Sequence, residues 1–170
     1  MFKVIILILV FLNVTSCFAL SFEKSGSKDD MDEIAMPGDG DCLFWAVAVG
    51  ENAAEGKALA YGLPARKLEL RQQVAIALGS GDFNEELNVV LASDDSPYHN
   101  SHDYIEAVRN GMWAGDLELL VLSRLLNKNI IHHSQTRVLL AYPNDKPYSK
   151  SIHIWYMGEH YNLLLPRNFI

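Results

Sequence analysis

The spacing of apolar positions changes near residue 127 and separates a helical half of the chain from a strand-rich half. Before that point apolar residues recur three and four apart, which is the period of packed helices. Helices are predicted over 42–49, 64–78, 83–91, 101–110 and 116–126. After it, short β-rich runs bounded by turn residues predict strands over 129–133, 137–142, 151–157 and 161–165. Helices first and strands last predict an α+β domain with one sheet partly covered by the helices.

Local signals refine three of these helices. Asp41 is a good N-cap for the first helix, and Gly50 is expected to end it. Asp82 with Glu85 three residues later is typical of a capping box. The run 116–126 is apolar on too many sides for a surface helix, so we expect it to be the buried central one.

One globular domain is expected, because the composition is that of an ordinary folded protein, with 49% hydrophobic and 21% charged residues. Residues 20–33 are mostly polar and charged and show no apolar period, which predicts a flexible lead-in. The domain is therefore predicted over 34–170, and about 135 residues are enough for a single core.

Residues 1–19 have the layout of a secretory signal peptide: Lys3, an unbroken apolar run over 4–12, and a small Ala19. The run is shorter than the roughly 20 apolar residues that a membrane span needs. Cleavage after Ala19 is the first interpretation. Residues 14–17 also resemble a bacterial lipoprotein box, in which Cys17 would be lipidated, and an uncleaved anchor is the third alternative.

The charge of the chain argues against nucleic acid as a partner. Without residues 1–19 the chain keeps 13 basic and 21 acidic side chains, a net charge of -8. Nucleic-acid binding depends on clustered Lys and Arg that neutralise phosphates. The acidity is better explained as a contribution to solubility.

Cys42 would be the single cysteine of the mature chain, so no intramolecular disulfide can form. A free cysteine is often no more than a small buried hydrophobe. Here, however, the stretch 37–44 reads Pro-Gly-Asp-Gly-Asp-Cys-Leu-Phe and places the thiol at the first turn of a predicted helix. The positive end of a helix favours thiolate over thiol, and backbone N–H groups of a glycine-rich turn can form an oxyanion hole.

A thiolate of this kind needs a base, and His160 is the best candidate. It directly precedes the predicted strand 161–165 and lies two residues before Asn162. If strand conformation extends to His160, both side chains project from one face, while Tyr161 points the other way into packing. Asn162 can then hold the imidazole ring towards Cys42. A lone strand histidine is more often structural, so this pair alone is a modest hypothesis.

Three short sequence motifs resemble those of a known protein family. Residues 39–44 resemble the nucleophile motif Asp-Gly-(Asn or Asp)-Cys-Leu-Phe of the ovarian-tumour (OTU) family of deubiquitinases. Residues 112–119 resemble that family's Trp-Gly-Gly-x-x-Glu-Leu element. Residues 158–162 are similar to its closing Gly-x-His-Tyr-(Asp or Asn) motif. The three motifs occur in family order and span nearly the whole predicted domain.

The resemblance implies a papain-like cysteine protease with a mostly antiparallel central sheet flanked by helices, which acts as a monomer on ubiquitin or a ubiquitin-like modifier without a cofactor. It implies that Cys42 is the nucleophile, His160 the base and Asn162 the third member of the triad. Asp39 takes the family's leading acidic position, and the backbone of Asp39, Gly40 and Cys42 would form the oxyanion hole. The corresponding substrate-channel positions are Trp113, Glu118 and Gly158.

Three departures from the family pattern stand out. Ala114 replaces the first glycine after the tryptophan, and Trp45 occupies a position where Arg or Tyr is frequent. Asn162 stands where the family also has Asp, so it orients the ring without adding a negative charge. None of these changes removes a catalytic group, so activity is expected.

The remaining candidates are weaker. His99 with His102, and His132 with His133, lack a nearby cluster that would complete a four-ligand metal site, so no metal is predicted. Trp113 and Trp155 are expected to be core aromatics first. Two other functions stay open: an exported cysteine hydrolase acting on peptidoglycan, and an inactive domain that binds a modifier. With the leader, the favoured prediction is an exported effector that acts in a host cell.

Overall fold

The structure is a computed structural model that describes residues 30–60, 62–135, 138–141 and 151–167. The predicted signal peptide 1–19, Cys17 and most of the predicted lead-in lie outside these residues. The helices are α1 Cys42–Ala54, α2 Leu63–Ser80, α3 Asn84–Leu91, α4 Ser101–Arg109 and α5 Asp116–Leu126. The strands are β1 Met31–Ile34, β2 Ile130–His133, β3 Val138–Ala141, β4 Ile152–Tyr156 and β5 Tyr161–Pro166.

The strands form one sheet in the order β1-β5-β4-β2-β3. Only the β2–β4 pair is parallel, and the other three pairs are antiparallel. α1 packs on β4 and β5, α2 packs on α1, and α4 and α5 pack on α2. The predicted α+β class with a mostly antiparallel sheet is therefore confirmed. Within the described residues, no helix combines the length and apolar character that a bilayer span requires.

Strand β1 corrects the predicted start of the domain. Residues 31–33, predicted to belong to a flexible lead-in, instead pair with β5, with Met31 opposite Pro166 and Ile34 opposite Leu163. The four-residue strand contains two acidic residues and shows no apolar alternation by itself. It forms because β5 offers an unpaired edge to it, which local sequence patterns do not reveal.

Of the two predicted N-terminal helix signals, one is confirmed and the other was wrong. Asp41 is the N-cap residue of α1 as predicted, although its side chain makes no capping bond. The capping box of Asp82 and Glu85 is absent, because α3 begins at Asn84 and Asp82 instead accepts a hydrogen bond from the Ser80 hydroxyl at 2.9 Å. α2 ends at Ser80 before the left-handed Gly81, and α5 has its predicted bounds.

Gly50 does not end α1, which continues to Ala54. Its lack of a side chain serves packing: a Cβ at Gly50 would lie 2.5 Å from Ile152 and 3.2 Å from Leu163. The middle of α1 therefore rests directly on β4 and β5. Close approach of a helix to a sheet is a recurrent reason for a buried glycine.

Gly50→Ala is expected to destabilise the fold by about 1–2 kcal/mol, because overpacking costs about 1–3 kcal/mol and the helix-propensity gain of about 1 kcal/mol offsets part of it. The matched control is Gly79→Ala in α2, where nothing lies within 4 Å of the added Cβ. That variant is expected to be neutral or slightly stabilising. Urea unfolding measures both, and a Gly50→Ala variant as stable as Gly79→Ala would contradict the packing argument.

Candidate active site

The turn that precedes α1 presents Cys42 at the first helical residue. The chain leaves β1, buries Met36, and turns through Gly40, whose φ of 85° is a left-handed conformation that favours glycine. Cys42 is a free, partly exposed thiol. The predicted position of this cysteine at a helix N-terminus is therefore found in the structure.

Asp39 organises this turn through its carboxylate. It accepts hydrogen bonds from the backbone N–H of Asp41 at 3.0 Å and from the indole Nε1 of Trp45 at 3.0 Å, and it pairs with Lys67 at 2.8 Å. Burial by itself raises the pKa of Asp39, but the hydrogen bonds from Lys67 and Trp45 outweigh it and lower the pKa to about 2. Asp39 thus stays ionised and holds the turn at any pH near neutrality.

Lys67 of α2 joins the two acidic side chains of the turn. Its ammonium group contacts Asp41 at 2.5 Å in addition to Asp39, and it lies 4.6 Å from the centre of the Trp45 ring. Burial by itself lowers the pKa of Lys67, but the hydrogen bonds to Asp39 and Asp41 outweigh it and the pKa is raised. Trp45, which departs from the family pattern, is therefore held by two side chains: Asp39 accepts a hydrogen bond from its indole, and Lys67 lies over its ring.

Arg71 was not predicted as a site residue, yet it ties the turn to the rest of the domain. Its guanidinium donates to the Asp41 carboxylate at 2.7 Å and to the carbonyls of Gly40 at 3.1 Å, Val108 at 2.7 Å and Met112 at 2.9 Å. The side chain is 3% exposed. A sequence signal for it exists, because Arg71 is a charged residue within the buried stripe of α2.

His160 and Asn162 meet at the start of β5, as their spacing predicts. His160 Nε2 lies 3.0 Å from Asn162 Oδ1, and the backbone N–H of Met36 donates to the same oxygen at 2.8 Å. An amide oxygen only accepts, so Nε2 of His160 carries the hydrogen and Nδ1 is left to accept a proton. Asn162 is 4% exposed, so water is largely kept from this bond.

Cys42 begins helix α1, which packs on β4 and β5. Tyr161, the first residue of β5, points into the core as predicted and is 6% exposed. Burial raises the pKa of the Tyr161 hydroxyl, and nearby charges, among them Asp116 and Cys42, raise it further. The segment before Cys42 also contacts this strand, because the backbone N–H of Met36 donates to Asn162.

Gly158 shapes the turn between β4 and β5 that delivers His160. Its φ of 95° is left-handed, and its carbonyl accepts a hydrogen bond from the Tyr156 hydroxyl. The backbone N–H of Met157 closes the turn on the His160 carbonyl at 3.0 Å. The observed role of Gly158 is thus to place the histidine.

Glu118, assigned by resemblance to the substrate channel, is buried at 1% exposure beneath the surface. Its carboxylate accepts from the Tyr104 hydroxyl at 2.7 Å and from the backbone N–H of Gly115 at 2.7 Å, which caps α5. Burial raises the pKa of Glu118, and these two hydrogen bonds oppose the rise. The side chain therefore fixes the segment before α5, and any effect of it on a substrate is indirect.

Trp113 is 60% exposed, which contradicts the prediction of a core aromatic. Its indole Nε1 lies 3.5 Å from the position that a Cβ on Gly40 would occupy, so the ring covers the turn before Cys42. A groove of about 500 Å³ begins beside it. The groove is walled mostly by apolar side chains of α3, the loop before α4, the segment before α5 and the first turn of α5, including Val90, Tyr98, Met112 and Leu117.

The histidines of β2 and β4 form a packed cluster. His133 and His153 stack with their Nε2 and Nδ1 atoms 3.0 Å apart, and burial together with His133 lowers the pKa of His153 to about 4. His132 packs edge-on against Tyr156. Within residues 30–60, 62–135, 138–141 and 151–167, no group of three potential metal ligands occurs.

Fold and site together define a cysteine protease of the papain-like type. More particularly, the chain belongs to the family described as OTU-like cysteine protease, whose model matches residues 37–163. No curated protein matches the chain significantly in sequence.

Solved structures share this fold at low sequence identity. The viral OTU domain protease from Taggert virus superimposes with a TM-score of 0.64 at 21% identity, over 83% of each chain. An OTU deubiquitinase from Wolbachia pipientis wMel gives 0.61 at 17% identity, over 84% of this chain and 92% of that one. A structure described as an OTU deubiquitinase from Wolbachia pipientis wMel bound to ubiquitin gives 0.61 at 18% identity, over 82% of this chain and 98% of that one.

Proposed function

We propose that the chain is a deubiquitinase, a thiol-dependent isopeptidase that releases ubiquitin or a ubiquitin-like modifier from lysine side chains or from chains of the modifier. The observation that carries this proposal is the hydrogen-bonded pair of His160 and Asn162 at the start of β5, the strand on which the helix that begins at Cys42 packs. Family membership supports it. Further support comes from the similar Wolbachia structures, one of which is described as bound to ubiquitin.

In the proposed mechanism, Nδ1 of His160 takes the proton of the Cys42 thiol, and the thiolate attacks the carbonyl carbon of the modifier's last glycine. The imidazolium then protonates the lysine amine as the C–N bond breaks, which leaves a thioester on Cys42. Water, deprotonated by His160, hydrolyses the thioester and restores the thiol. Asn162 holds the ring throughout, because its oxygen accepts from Nε2.

The oxyanion formed in both steps needs donors beside the sulfur, and we assign them to the backbone of the turn around Asp39, Gly40 and Cys42. Two contacts support this assignment. Arg71 holds the Gly40 carbonyl and Asp39 holds the Asp41 N–H, so the plane of the peptide between Gly40 and Asp41 is fixed before substrate arrives. Donors that need no reorganisation stabilise a transition state best.

The groove beside Trp113 suits an extended tail upstream of the scissile bond. Its lining includes Asp95 and Asp116 but no Lys or Arg among the described residues, so it favours apolar or basic side chains. A cleft narrow enough for two glycines between α1 and the start of β5 would exclude larger residues at the reacting carbonyl. Trp113, exposed over the turn, then lies between groove and nucleophile.

Hydrolysis of a fluorogenic ubiquitin C-terminal amide tests this function. We expect turnover that Cys42→Ala abolishes, and cleavage of isopeptide-linked di-ubiquitin by the same preparation. The two alternatives give different results. A peptidoglycan hydrolase would cleave muropeptides and leave both ubiquitin substrates intact, and an inactive modifier-binding domain would bind ubiquitin without turnover.

We further propose that residues 1–19 direct export and that the enzyme acts as an effector outside the cell that makes it. Support comes from the sequence pattern alone: Lys3, the apolar run over 4–12 and Ala19. Mass spectrometry of the secreted chain is expected to show an N-terminus at Leu20. A lipidated Cys17 or an intact leader would contradict cleavage at Ala19.

A further inference from the structure

Glu33 reaches the proposed active site from the edge strand β1. Its Oε1 accepts a hydrogen bond from Nδ2 of Asn162 at 2.6 Å. In the register of the sheet Glu33 lies opposite Leu164, two residues from Asn162 on the same face of β5. Glu33 precedes the segment 37–163 that matches the family model, so the match gives it no role.

The contact determines which end of the Asn162 amide faces His160. The amide has an accepting oxygen and a donating nitrogen, and its surroundings offer one acceptor, Glu33, and two donors, the Met36 N–H and the His160 ring. A flipped amide would direct its NH₂ group at both donors and its oxygen at the carboxylate. Glu33 therefore holds the one orientation in which all partners are satisfied.

Charge is the second contribution of this carboxylate. Among the residues that the structure describes, no cation pairs with Glu33, whereas its neighbour Asp32 lies 3.9 Å from Arg167. Hydrogen bonds to ionised groups are short and strong, and they polarise the amide through which they act. The Glu33 side chain is exposed, so solvent screens part of its charge, but the Asn162 amide that carries its effect to the His160 ring is 4% exposed.

We propose that Glu33 is a positioning residue of the active site: through Asn162 it orients the ring of His160 and supplies the negative charge that an asparagine lacks. The imidazolium that forms when Cys42 is ionised is stabilised by this charge. The inference rests on the proposed function only in that His160 acts as the base of Cys42. It does not depend on the identity of the modifier.

The other ionisable groups near the contact between Glu33 and Asn162 do not bind the Asn162 amide. Glu159 lies exposed on the turn before His160, and Asp32 is paired with Arg167 at the sheet edge. From the helical side, Asp116 and Cys42 act on Tyr161, on the opposite face of β5. Of these groups, none donates to or accepts from the Asn162 amide.

Glu33→Gln removes the charge and keeps an oxygen that can accept from Asn162. We expect kcat to fall about 3- to 10-fold with KM unchanged, which corresponds to a change of about half to one pH unit in the protonation equilibrium of the ring. The alkaline limb of the pH profile, where the imidazolium loses its proton, is expected to move to lower pH by the same amount. Asp32→Asn is the matched control, because it removes an equal charge from the adjacent β1 position.

The direction in which Glu33→Gln changes kcat in two backgrounds separates a positioning role of Glu33 from a merely structural one. In an Asn162→Asp background, Glu33 would face a second carboxylate, and like charges at such a distance disfavour ionisation of both. Glu33→Gln is therefore expected to raise kcat in that background, although it lowers kcat in the wild-type chain. A decrease of equal size in both backgrounds, or an effect no larger than that of Asp32→Asn, would overturn the proposal.

Alkylation of Cys42 by iodoacetamide, followed by peptide mapping across the pH range, gives a readout without ubiquitin. Failure of wild-type protein to cleave ubiquitin, with a Glu33-dependent alkylation profile, would reject the substrate and keep Glu33 as the positioning residue. Turnover of ubiquitin with an alkylation profile that Glu33→Gln leaves unchanged would reject the role of Glu33 and keep the enzyme.

Discussion

His160→Ala lowers kcat for release of ubiquitin by about a thousand-fold or more, and it leaves the free energy of unfolding nearly unchanged. Loss of the base removes both the activation of the thiol and the protonation of the leaving amine, and removal of a triad member typically costs about 10⁴-fold or more. His160 is half-buried on a turn and supports no core packing. Steady-state kinetics with a fluorogenic ubiquitin amide measures the effect.

The neighbouring variant Glu159→Ala is the control for His160→Ala. Glu159 is exposed on the same turn, so its loss should change kcat less than about twofold, in line with the small effects of most surface substitutions. Urea unfolding of both variants checks the fold. A His160→Ala enzyme that kept a tenth of wild-type kcat would show that another group is the base.

Arg71→Ala is expected to have the largest effect on stability, about 3–5 kcal/mol, because it leaves the partly buried Asp41 carboxylate without one of its cations and three carbonyls without their donor. The contacts run to Gly40, Asp41, Val108 and Met112. The turn before Cys42 loses its anchor at the same time. We therefore expect kcat of the folded fraction to fall about tenfold, as the oxyanion donors lose their fixed geometry.

Two further variants make the Arg71 result specific. Arg71→Lys keeps the charge but not the planar fork of donors, so it is expected to recover only part of the stability. Arg124→Ala removes an exposed arginine paired with Glu86 at 3.2 Å, and should cost less than about 1 kcal/mol. An Arg71→Ala variant no less stable than Arg124→Ala would contradict the anchoring role.

Most helix bounds could be predicted from local sequence. The two features that could not, strand β1 and the role of Gly50, both depend on contacts with distant parts of the chain. Pro64 near the start of α2 and Gly81 after its end set bounds that match the structure closely, since these residues act on the backbone itself. Gly50 has the same local chemistry as Gly81, but packing of α1 against Ile152 overrides it. Strand β1 and Gly50 are determined by contacts with segments more than 100 residues away, which periodicity does not report.

In the active site, too, features set by local sequence could be predicted and features set by distant contacts could not. The relation of His160 to Asn162 follows from the two-residue period of a strand, and Cys42 at a helix start follows from the glycine-rich turn before it. Arg71 and Glu33 were missed, because their partners lie between 30 and 129 positions away in sequence. A charge on the buried stripe of α2 was the available signal for Arg71. For Glu33 no local signal exists.

The central claim is that Cys42, paired with His160, attacks the carbonyl at the end of a ubiquitin tail. A ubiquitin probe whose last glycine is replaced by an electrophile tests it most directly. The claim predicts one covalent adduct per chain, mapped to the Cys42 peptide, lost in Cys42→Ala and strongly slowed in His160→Ala. Folded wild-type protein that forms no adduct, or an adduct that persists in Cys42→Ala, would contradict it.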